Sequence, residues 1–552
     1  MLHPFQSTSA SKSGGAVIPT ALLVIALLVI LPFGGLVREA LRGSPGLWEH
    51  LASTVLPTAF LDTAILLAGV GVITTLIGTS AAWLVSAYQF PGRNVLQWAL
   101  LLPLAVPTYI IAYAYLDILH PVGPVQEAVR WLLGYESPRQ FRLPDIRSMP
   151  GCILLLGFVL YPYVYIPTRA MFLTQSGNLV DAARTLGVSR RAIFWRVALP
   201  LARPAIAVGV SLALMETLND VGAAEFLGVR TLTVTIYTTW ITRTDLPGAA
   251  QIALALLTIV VLLVMLERWA RQKQSFVTDA RRNRPMPLQQ TSTLHGLVLL
   301  LAGTIPVVIG FAAPALYLVK EAWQRYQFAG ISPRLLDEAI ATLCIAAAAT
   351  GATILLGLAA AYAIRFNKGR PVSGLFRILM LGYAAPGTVI AIAVLIVLAG
   401  ADRAIDAALR QWLGVSVGLV FLGSGAAVVY ALTVRFLAIS AGSIEAGFAR
   451  IPGSFDQAAR TLGHTPSDTF RKIHIPLSKT MISAAAILVF VDCVKELPAT
   501  LLLRPLNVET FATHLYGEAA RGTYEEGSIV ALAIVAIGII PVILLSRVGA
   551  KH

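Results

Sequence analysis

Asp181-Ala-Ala-Arg-Thr-Leu-Gly187 and Gln457-Ala-Ala-Arg-Thr-Leu-Gly463 are nearly identical stretches of this 552-residue chain. Each is followed at the same distance by an aliphatic residue and a proline, Leu199-Pro200 and Ile475-Pro476. The two stretches lie 276 positions apart, which is half the length of the chain. A repeat of this length indicates a duplicated domain and not a solenoid of short repeats. The sequence therefore predicts two copies of one unit.

Composition indicates a membrane protein. Hydrophobic residues make up 57% of the chain and charged residues 13%, with a mean hydropathy of +0.76. A water-soluble domain carries about 25% charged residues. The three cysteines, Cys152, Cys344 and Cys493, lie in apolar stretches without the spacing of a zinc site or a disulfide framework. These features exclude a disulfide-stabilised soluble domain and favour a polytopic membrane protein.

Twelve apolar runs are long enough to cross a bilayer as helices, which takes about 20 residues. The first run is too long for the core of a signal peptide, so we expect an uncleaved span. We predict an all-α protein with two tandem six-helix repeats, in which 268–293 is a solvated linker between halves 1–267 and 294–552. The runs lie at residues 17–37, 60–86, 95–117, 151–173, 202–223, 249–266, 295–318, 338–364, 373–399, 414–437, 479–502 and 527–546.

The placement of Arg and Lys predicts the orientation of the chain. Three connections are rich in basic residues, and all three lie on one side of the membrane if each half has six spans. The positive-inside rule makes that side cytoplasmic, together with both termini, although the Arg-bearing segment 118–150 then falls outside and goes against this assignment. Because the basic residues lie between apolar runs, the net charge of +14 sets topology and does not indicate a nucleic-acid partner. The basic positions are Arg169, Arg184, Arg190, Arg191, Arg196 and Arg203; Arg268, Arg271, Lys273, Arg281, Arg282 and Arg284; and Arg435, Arg450, Arg460, Arg471, Lys472 and Lys479.

The repeated stretch predicts a compact helix–glycine–helix element on the cytoplasmic side. Ala-Ala-Arg-Thr-Leu favours a short helix, and the glycine that follows tolerates the left-handed backbone that ends a helix. A second amphipathic stretch follows, and then a proline marks the entry to the next span. One copy would be equally compatible with an ordinary interfacial loop, but two copies with the same core favour a docking surface. The candidate docking residues are Asp181, Ala182, Ala183, Gly187 and Pro200 in the first copy, and Gln457, Ala458, Ala459, Gly463 and Pro476 in the second.

At these residues the chain resembles the permease subunits of ATP-binding-cassette importers. Their "EAA" loop has the consensus Glu-Ala-Ala, a glycine a few residues on, and then an aliphatic-Leu-Pro run. Asp181 and Gln457 replace the glutamate here, and the second replacement loses a charge. The resemblance implies that the loops seat in two cytoplasmic ATPase subunits and transmit their closure to the membrane helices. The chain contains no Gly-Lys dipeptide and hence no P-loop, so a separate subunit must hydrolyse ATP. The chain is then a transport subunit with no catalytic residue and no bound cofactor.

Acidic residues inside two matched apolar runs are candidates for a translocation path. Glu216 and Asp220 lie in the fifth run, and Asp492 and Glu496 lie 276 positions later in the eleventh. The i,i+4 spacing predicts that each pair shares a helix face, and charges inside a membrane are costly unless they have a function. Two readings stay open: the carboxylates cap helix ends, or they line a path for a hard cation, with weak contacts and no tightly bound metal. Asn219 and Lys495 are matched polar neighbours of these pairs.

Two prolines give a third internal match. Pro107-Thr-Tyr-Ile-Ile-Ala parallels Pro386-Gly-Thr-Val-Ile-Ala at an offset of 279 positions. A proline within a membrane helix removes a backbone hydrogen bond and can kink the helix. Pro107 and Pro386 are therefore candidates for a gate, and simple packing accounts for them equally well.

The sequence around the carboxylates narrows the resemblance. Met215-Glu-Thr-Leu-Asn-Asp-Val-Gly222, continuing to Tyr237 and Trp240, is similar to the ferric-iron importer permeases, which also fuse two halves in one chain. Lys495-Glu-Leu-Pro-Ala-Thr-Leu-Leu-Leu-Arg-Pro505, with the segment from Thr510 to Tyr516, is similar to them as well. This resemblance implies a bacterial inner-membrane permease for ferric iron, with contacts to lipid and a periplasmic solute-binding protein that delivers the substrate.

Other readings remain open at the level of sequence. Fused permeases for thiamine, phosphonate or polyamine share the scaffold. A proton-coupled secondary transporter would explain the intramembrane carboxylates, but it has no need of two docking loops. A membrane scaffold without transport is the third class.

Overall fold

The computed structural model describes residues 13–44, 46, 48–174, 190–272, 288–367 and 369–549. Within these ranges the regular structure is helical, apart from the strands Tyr88–Gln89 and Gln289–Gln290, which pair in parallel. The all-α prediction is confirmed.

The long helices follow the predicted runs, and they are numbered here as spans 1 to 12. Ten helices in the described part of the chain are long and apolar enough to cross a membrane, and a pair bent by 92° adds an eleventh. Ser528–Gly549 is span 12, although only its part up to Pro541 counts as an apolar helix, and a short one. In the first half, span 1 is Thr20–Arg42, span 2 Trp48–Ala87, span 3 the bent pair Arg93–Ala105 and Thr108–Ile118, span 4 Met149–Leu173, span 5 Phe194–Asn219 and span 6 Leu246–Met265. In the second half, span 7 is Thr293–Ala329, span 8 Arg334–Phe366, span 9 Gly387–Leu413, span 10 Ala426–Ala449 and span 11 Pro466–Lys495.

Short helices fill the connections between the spans. Two of them begin after a threonine whose side chain accepts a hydrogen bond from the first turn, which satisfies a backbone N–H that would otherwise lack a partner. The short helices are Pro124–Leu133, Gly222–Phe226, Leu232–Ile241, Arg370–Leu379, Leu381–Ala384, Gly453–Thr461, Pro498–Leu503 and Phe511–Arg521.

Spans 9 and 10 begin later than the sequence predicts. The predicted run 373–399 is broken at Pro386, which has an extended ψ of 147° and stands directly before the helix that starts at Gly387. Proline disfavours the helical conformation in the residue before it and has no N–H to donate, so the chain turns there.

The predicted start of the tenth run at residue 414 is also wrong, because residues 414–425 form a loop. Gly414 adopts a left-handed φ of 69° and ends the preceding helix, and Gly418 within the loop is also left-handed, with a φ of 64°. The buried carboxylate of Asp402 then accepts hydrogen bonds from the backbone N–H groups of Val420, Phe421 and Leu422 at 2.9–3.2 Å. These bonds hold the apolar segment as a loop, so span 10 starts only at Ala426.

Among the described residues, four spans contain a five-residue π-helical turn just before a proline. Each turn ends two residues before the proline, so the helix continues through it. A proline lacks the N–H and its ring presses on the preceding turn, and a widened turn relieves that clash. Pro200 and Pro476 are each the second residue of an α-helix, Leu199–Asn219 and Ile475–Lys495, and the helical chain continues upstream of both through the π-helical turn. That they mark the entry to spans 5 and 11 stays a prediction. The turns are Leu51–Val55, Phe194–Ala198, Val308–Ala312 and Phe470–His474.

The described chain forms two compact units that cut across the sequence halves. The larger unit comprises 42–342, 495–502 and 509–552, and the smaller comprises 1–41, 343–494 and 503–508. The halves 1–267 and 294–552, with the linker 268–293, remain a description of the duplication in sequence.

In the larger unit, span 7 of the second repeat packs on helices of the first. A Cβ added at Gly310 would lie 2.3 Å from the carbonyl oxygen of Phe158, so the helices approach this closely only because the residue is glycine. The Tyr115 hydroxyl donates to the Ile309 carbonyl at 2.7 Å, and the Tyr317 hydroxyl donates to Asp117 Oδ2 at 2.5 Å. The first span of the second repeat thus belongs to a core built mainly by the first repeat.

The smaller unit shows the reciprocal exchange. Span 1 packs against spans 9 and 10, and a Cβ at Gly35 would lie 2.6 Å from Val397 Cγ2. The Tyr430 hydroxyl donates to the Leu28 carbonyl at 2.6 Å. Each repeat therefore contributes its first span to helices of the other, which explains why the compact units and the sequence halves differ.

Candidate coupling segment and translocation path

The second copy of the repeated stretch forms the predicted helix–glycine–helix. The helix Gly453–Thr461 ends at Gly463, whose φ is 79°. The His464 N–H donates to the Ala459 carbonyl at 2.9 Å and the Gly463 N–H to the Arg460 carbonyl at 3.0 Å, the pattern of a Schellman motif. The left-handed conformation expected at Gly463 is confirmed. Asp181, Ala182, Ala183 and Gly187 of the first copy lie outside the described residues.

The exposed face of the second copy carries apolar side chains. Leu462 is 77% exposed and Phe455 is 45% exposed. Gln457 and Ala458 are also exposed, whereas Ala459 is buried beneath them. These exposed apolar side chains make the segment a candidate for contact with a partner protein. We call residues 453–476 the second coupling segment.

A partly buried ion-pair network holds the second coupling segment to span 8 and span 11. Asp456 Oδ2 accepts from Arg365 Nη2 at 2.7 Å and from Arg365 Nε at 3.1 Å. Asp456 Oδ1 lies 2.7 Å from Nε2 of His474, a fully buried residue of the π-helical turn. Arg365 also donates to the carbonyls of Phe448 and Ile451 at 3.1 and 3.0 Å. One carboxylate therefore joins the helix Gly453–Thr461 to span 8 and to span 11.

The electrostatics of Asp456 follow from this geometry. Burial acts to raise the pKa of Asp456, but the hydrogen bonds from His474 and Arg365 outweigh burial and hold the pKa of this carboxyl below its usual range. The sequence did not single out Asp456, because the motif begins one residue later and Arg365 is 91 positions away. The available signal was an acidic residue directly beside Gln457, where the motif had lost its own charge.

The matched place in the first repeat is held differently. At an offset of 276, Gln89 corresponds to Arg365 and Ala198 to His474. The backbone of Tyr88–Gln89 pairs with Gln289–Gln290, and the Thr291 hydroxyl donates to the Gln89 carbonyl at 2.8 Å. The C-terminal end of the predicted linker therefore holds the end of span 2 by main-chain pairing, so this part of the linker is not a solvated tether.

Asp220 and Glu496 lie beyond the helix ends and do not share a helix face with Glu216 and Asp492. Span 5 ends at Asn219, and Asp220 has an extended ψ of 118°. Asp220 Oδ1 accepts from the Ala223 N–H at 2.8 Å and so caps the short helix Gly222–Phe226. The shared-face prediction is wrong because the backbone turns out of the helix between the two carboxylates.

Glu496 makes the equivalent cap in the second repeat. Its two carboxylate oxygens accept from the N–H groups of Ala499 and Thr500 at 2.9 and 3.0 Å, and Oε2 also accepts from the Thr500 hydroxyl at 3.0 Å. These bonds satisfy the first turn of the helix Pro498–Leu503. Asp220 and Glu496 thus end and start helices, which is the first of the two roles that the sequence left open.

The larger unit brings both caps to one tyrosine. Tyr109 lies close enough to Asp220 and to Glu496 for electrostatic interaction, and its hydroxyl donates to the Lys495 carbonyl at 3.3 Å. A Cβ at Gly222 would lie 2.7 Å from Tyr109 Cβ, so the first cap packs directly on this ring. The caps of the two repeats therefore meet around span 3.

The remaining predicted path residues lie on the two matched spans. Glu216 and Asn219 are half-buried in the last turn of span 5, and Asp492 and Lys495 are half-buried in the last turn of span 11. In the described ranges, no three His, Cys, Asp or Glu side chains are grouped in a way that could hold a metal ion.

The candidate gating prolines share one geometry. Pro107 and Pro386 have φ of −57° and ψ of 143° and 147°, and each stands immediately before the start of a helix. At Pro107 the two helices of span 3 meet at 92°. The prolines therefore break the helix completely, which is a larger effect than the kink that the sequence suggested.

Comparison with known proteins decides the family. The family model described as "Binding-protein-dependent transport system inner membrane component" matches residues 74–276 and, a second time, residues 353–551. The chain belongs to this family. Two fused permease halves and a multi-pass, inner-membrane protein are thereby confirmed.

Individual relatives of this permease carry different substrates in their names. Fe(3+)-transport system permease protein FbpB 2 of Haemophilus influenzae is 23% identical over 538 residues, 96% of this chain and 98% of that protein. Sulfate transport system permease protein CysT of Escherichia coli is 26% identical over 209 residues, 38% of this chain and 72% of CysT. Putative 2-aminoethylphosphonate transport system permease protein PhnU of Salmonella choleraesuis is 29% identical over 250 residues, 42% of this chain and 84% of PhnU. All three are permease subunits, so the permease described here is a transport subunit of a binding-protein-dependent system.

Proposed function

We propose that this permease imports ferric iron with energy from ATP hydrolysed on separate subunits. The supporting observation is the extent of the similarity to the ferric permease of Haemophilus influenzae, which runs through both halves and covers 96% of the chain. The sulfate and phosphonate relatives match 38% and 42% of the chain, about one half of the duplication. Those substrates are the alternatives.

Reconstitution tests the substrate. The permease would be placed in proteoliposomes with its ATPase inside and its solute-binding protein outside, and uptake of ferric citrate, sulfate, molybdate and 2-aminoethylphosphonate would be compared. We expect ATP-dependent uptake of iron alone. Uptake of an oxyanion without iron would reject the ferric assignment. Uptake driven by a pH gradient in the absence of nucleotide would reject the ATP-driven class in favour of a secondary transporter.

We propose that the second coupling segment, and its first copy at 177–200, are the contacts for two cytoplasmic ATPase subunits. The exposed apolar side chain of Leu462 beside the Schellman turn supports this role. Closure of the ATPases would pull on span 11 through Pro466–Thr469, which is continuous with it. Both termini are then cytoplasmic, as the basic residues predict.

A charge substitution tests the contact. Leu462→Asp should abolish co-purification of the ATPase, because a buried apolar contact would be replaced by an unpaired charge. Trp412→Asp is the matched control, since Trp412 is equally exposed, at 82%, but lies at the C-terminal end of span 9. Normal ATPase recovery with Leu462→Asp, or equal loss with both variants, would reject the docking role.

The half-buried polar residues Glu216, Asn219, Asp492 and Lys495 are proposed to line the path. The neutral substitutions Glu216→Gln and Asp492→Asn keep shape and remove charge. We expect them to lower iron uptake while ATPase binding persists. Unchanged uptake would leave these carboxylates with a structural role only.

A further inference from the structure

Two matched short helices meet within the larger unit. Leu232–Ile241 begins after Thr231, and Phe511–Arg521 begins after Thr510, 279 positions later. This is the same offset that relates Pro107 to Pro386. In both helices the threonine hydroxyl accepts from the N–H three residues on. The two helices are therefore copies of one element in the two repeats.

Tyr237 and Tyr516 occupy the same position in these copies, also 279 apart, and their rings are in contact. The ring centroids lie 6.1 Å apart at an angle of 80°. Matched residues of two repeats can touch only where the repeats meet, so Tyr237 and Tyr516 mark a junction of the two repeats. Paired repeats in membrane transporters place their substrate site at this junction.

A carboxylate contacts the tyrosine of the second repeat. The Tyr516 hydroxyl donates to Glu225 Oε2 at 2.7 Å, and Phe226 stacks on the Tyr516 ring at 5.5 Å. The position that matches Glu225 at an offset of 276 is Leu501, so the second repeat supplies no equivalent acid. The result is two phenol oxygens and one carboxylate at the junction of the repeats.

We infer that Tyr237, Tyr516 and Glu225 form a constriction of the path that contacts a hard trivalent cation in transit. Carboxylate oxygens suit hard cations, and tyrosine oxygen is a known ligand of ferric iron. The charge of an arriving cation favours the deprotonated ligand, so the phenol proton passes to water as the metal–oxygen contact forms, and Glu225 stays ionised as the carboxylate donor. Three donors leave most of the coordination sphere open, which suits passage and not storage. The inference rests on the proposed ferric function and assigns the residues that select the ion.

Uptake by three conservative variants tests this constriction. Tyr237→Phe, Tyr516→Phe and Glu225→Gln would be assembled with the ATPase and the binding protein in proteoliposomes, and ferric citrate would be the probe. We expect each variant to lower ATP-dependent iron uptake by about tenfold, the factor that corresponds to about 1.4 kcal/mol of lost stabilisation. Binding of the ATPase should be unchanged in all three.

Tyr317→Phe is the matched control. Tyr317 also donates a hydrogen bond to a carboxylate, Asp117, in the same unit, but it lies outside the pair of matched helices. It should keep parental uptake. A second readout is the visible absorption band of ferric iron bound to phenolate, recorded on the purified complex with ferric citrate. That band should appear in the parent and in Tyr317→Phe, and it should weaken in the Tyr237 and Tyr516 variants.

The outcomes separate this inference from the function on which it rests. If the parent imports iron and the three variants do so at the same rate, the constriction is rejected while the ferric function stands. Equal losses in the variants and in Tyr317→Phe would also reject it, because any tyrosine–carboxylate pair would then have the same effect. If the parent imports no iron, both proposals fail. Should Tyr516→Phe fail to assemble, Tyr237→Phe and Glu225→Gln decide the question.

Discussion

Spans 2 and 8 are copies of each other, yet different kinds of interaction hold their C-terminal ends. The end of span 8 is held by Arg365, which donates to Asp456, and Asp456 in turn contacts His474 in a partly buried network. The end of span 2 is held by main-chain pairing of Tyr88–Gln89 with Gln289–Gln290. Duplication has preserved the helix and the turn, but the two copies are fixed by side-chain charge in one case and by backbone in the other.

This difference determines how each anchor responds to substitution. A backbone pair uses N–H and C=O groups that every non-proline residue supplies, so it tolerates a change of side chain. A buried ion pair depends on each of its members, since removal of one leaves the other charged and without compensation. The anchor of span 8 should therefore lose more stability on substitution than the anchor of span 2.

The largest effect is expected from Asp456→Asn. The substitution removes the charge that compensates Arg365, and we expect a loss of about 2–3 kcal/mol in unfolding free energy. The value lies below the range for fully buried pairs because Arg365 and Asp456 keep 17% and 16% of their side-chain exposure. Chemical unfolding of the purified permease would measure it. Gln89→Ala is the control at the matched place and should change stability by less than about 0.5 kcal/mol. Equal losses in both variants would remove the distinction between the anchors.

The same pair predicts a pH dependence. The pKa of Asp456 is lowered in the folded chain, so its contribution is present above the usual aspartate value and is lost as the pH falls through the folded one. The difference between the parent and Asp456→Asn should be constant near neutral pH and should shrink below about pH 3.9. A difference that shrinks as the pH rises instead would show that Asp456 is not the group responsible.

An intermediate effect is expected at the turn of the second coupling segment. Gly463→Val places a β-branched residue at a φ of 79°, which should cost about 1–2 kcal/mol. No atom lies within 4 Å of a Cβ added there, so the cost is conformational and not a clash. Gly374 has equally open space, no positive φ and a place outside the second coupling segment, and Gly374→Val should leave stability and ATPase co-purification close to parental values. A similar loss at both glycines would mean that the left-handed turn has no special part in coupling.

The smallest effect is expected at the backbone anchor that holds the end of span 2. Thr291→Val deletes the hydroxyl that donates to the Gln89 carbonyl and keeps the shape of the side chain. Because the backbone pairing persists, the loss should be about 1 kcal/mol. Thermal unfolding of this variant and of Asp456→Asn, measured side by side, compares the stability that each anchor contributes. A Thr291→Val effect larger than that of Asp456→Asn would reverse the comparison.

The spans were predictable because the length and polarity of an apolar run are local properties. The predicted starts of spans 9 and 10 were too early because the apolar sequence continues without interruption through Pro386 and through residues 414–425. The groups that decide those boundaries are the proline backbone and the Asp402 carboxylate, which reaches residues 18–20 positions away. A window of hydropathy does not contain that information.

The candidate site was predictable to the extent that it repeats. Gly463 was expected to be left-handed because the motif contains its own helix stop. Asp456 was missed because its partner is distant in sequence and absent from the first repeat. The carboxylates at 220 and 496 were found by their spacing, but the same spacing hid the helix end between each pair, since periodicity assumes that the helix continues.

The exchange of first spans also means that span 1 is synthesised long before the helices on which it packs. Leu28 and Tyr430, which bond to each other in the smaller unit, are 402 residues apart in the chain. A ribosome that adds about 5–20 residues per second delivers the second of them about 20–80 s after the first. During that interval the face of span 1 that will meet span 10 can contact only lipid or helices that are made before span 10. Maturation of the smaller unit is thus timed by translation, and a pause between codons 42 and 426 would prolong exposure of span 1 without altering the finished protein.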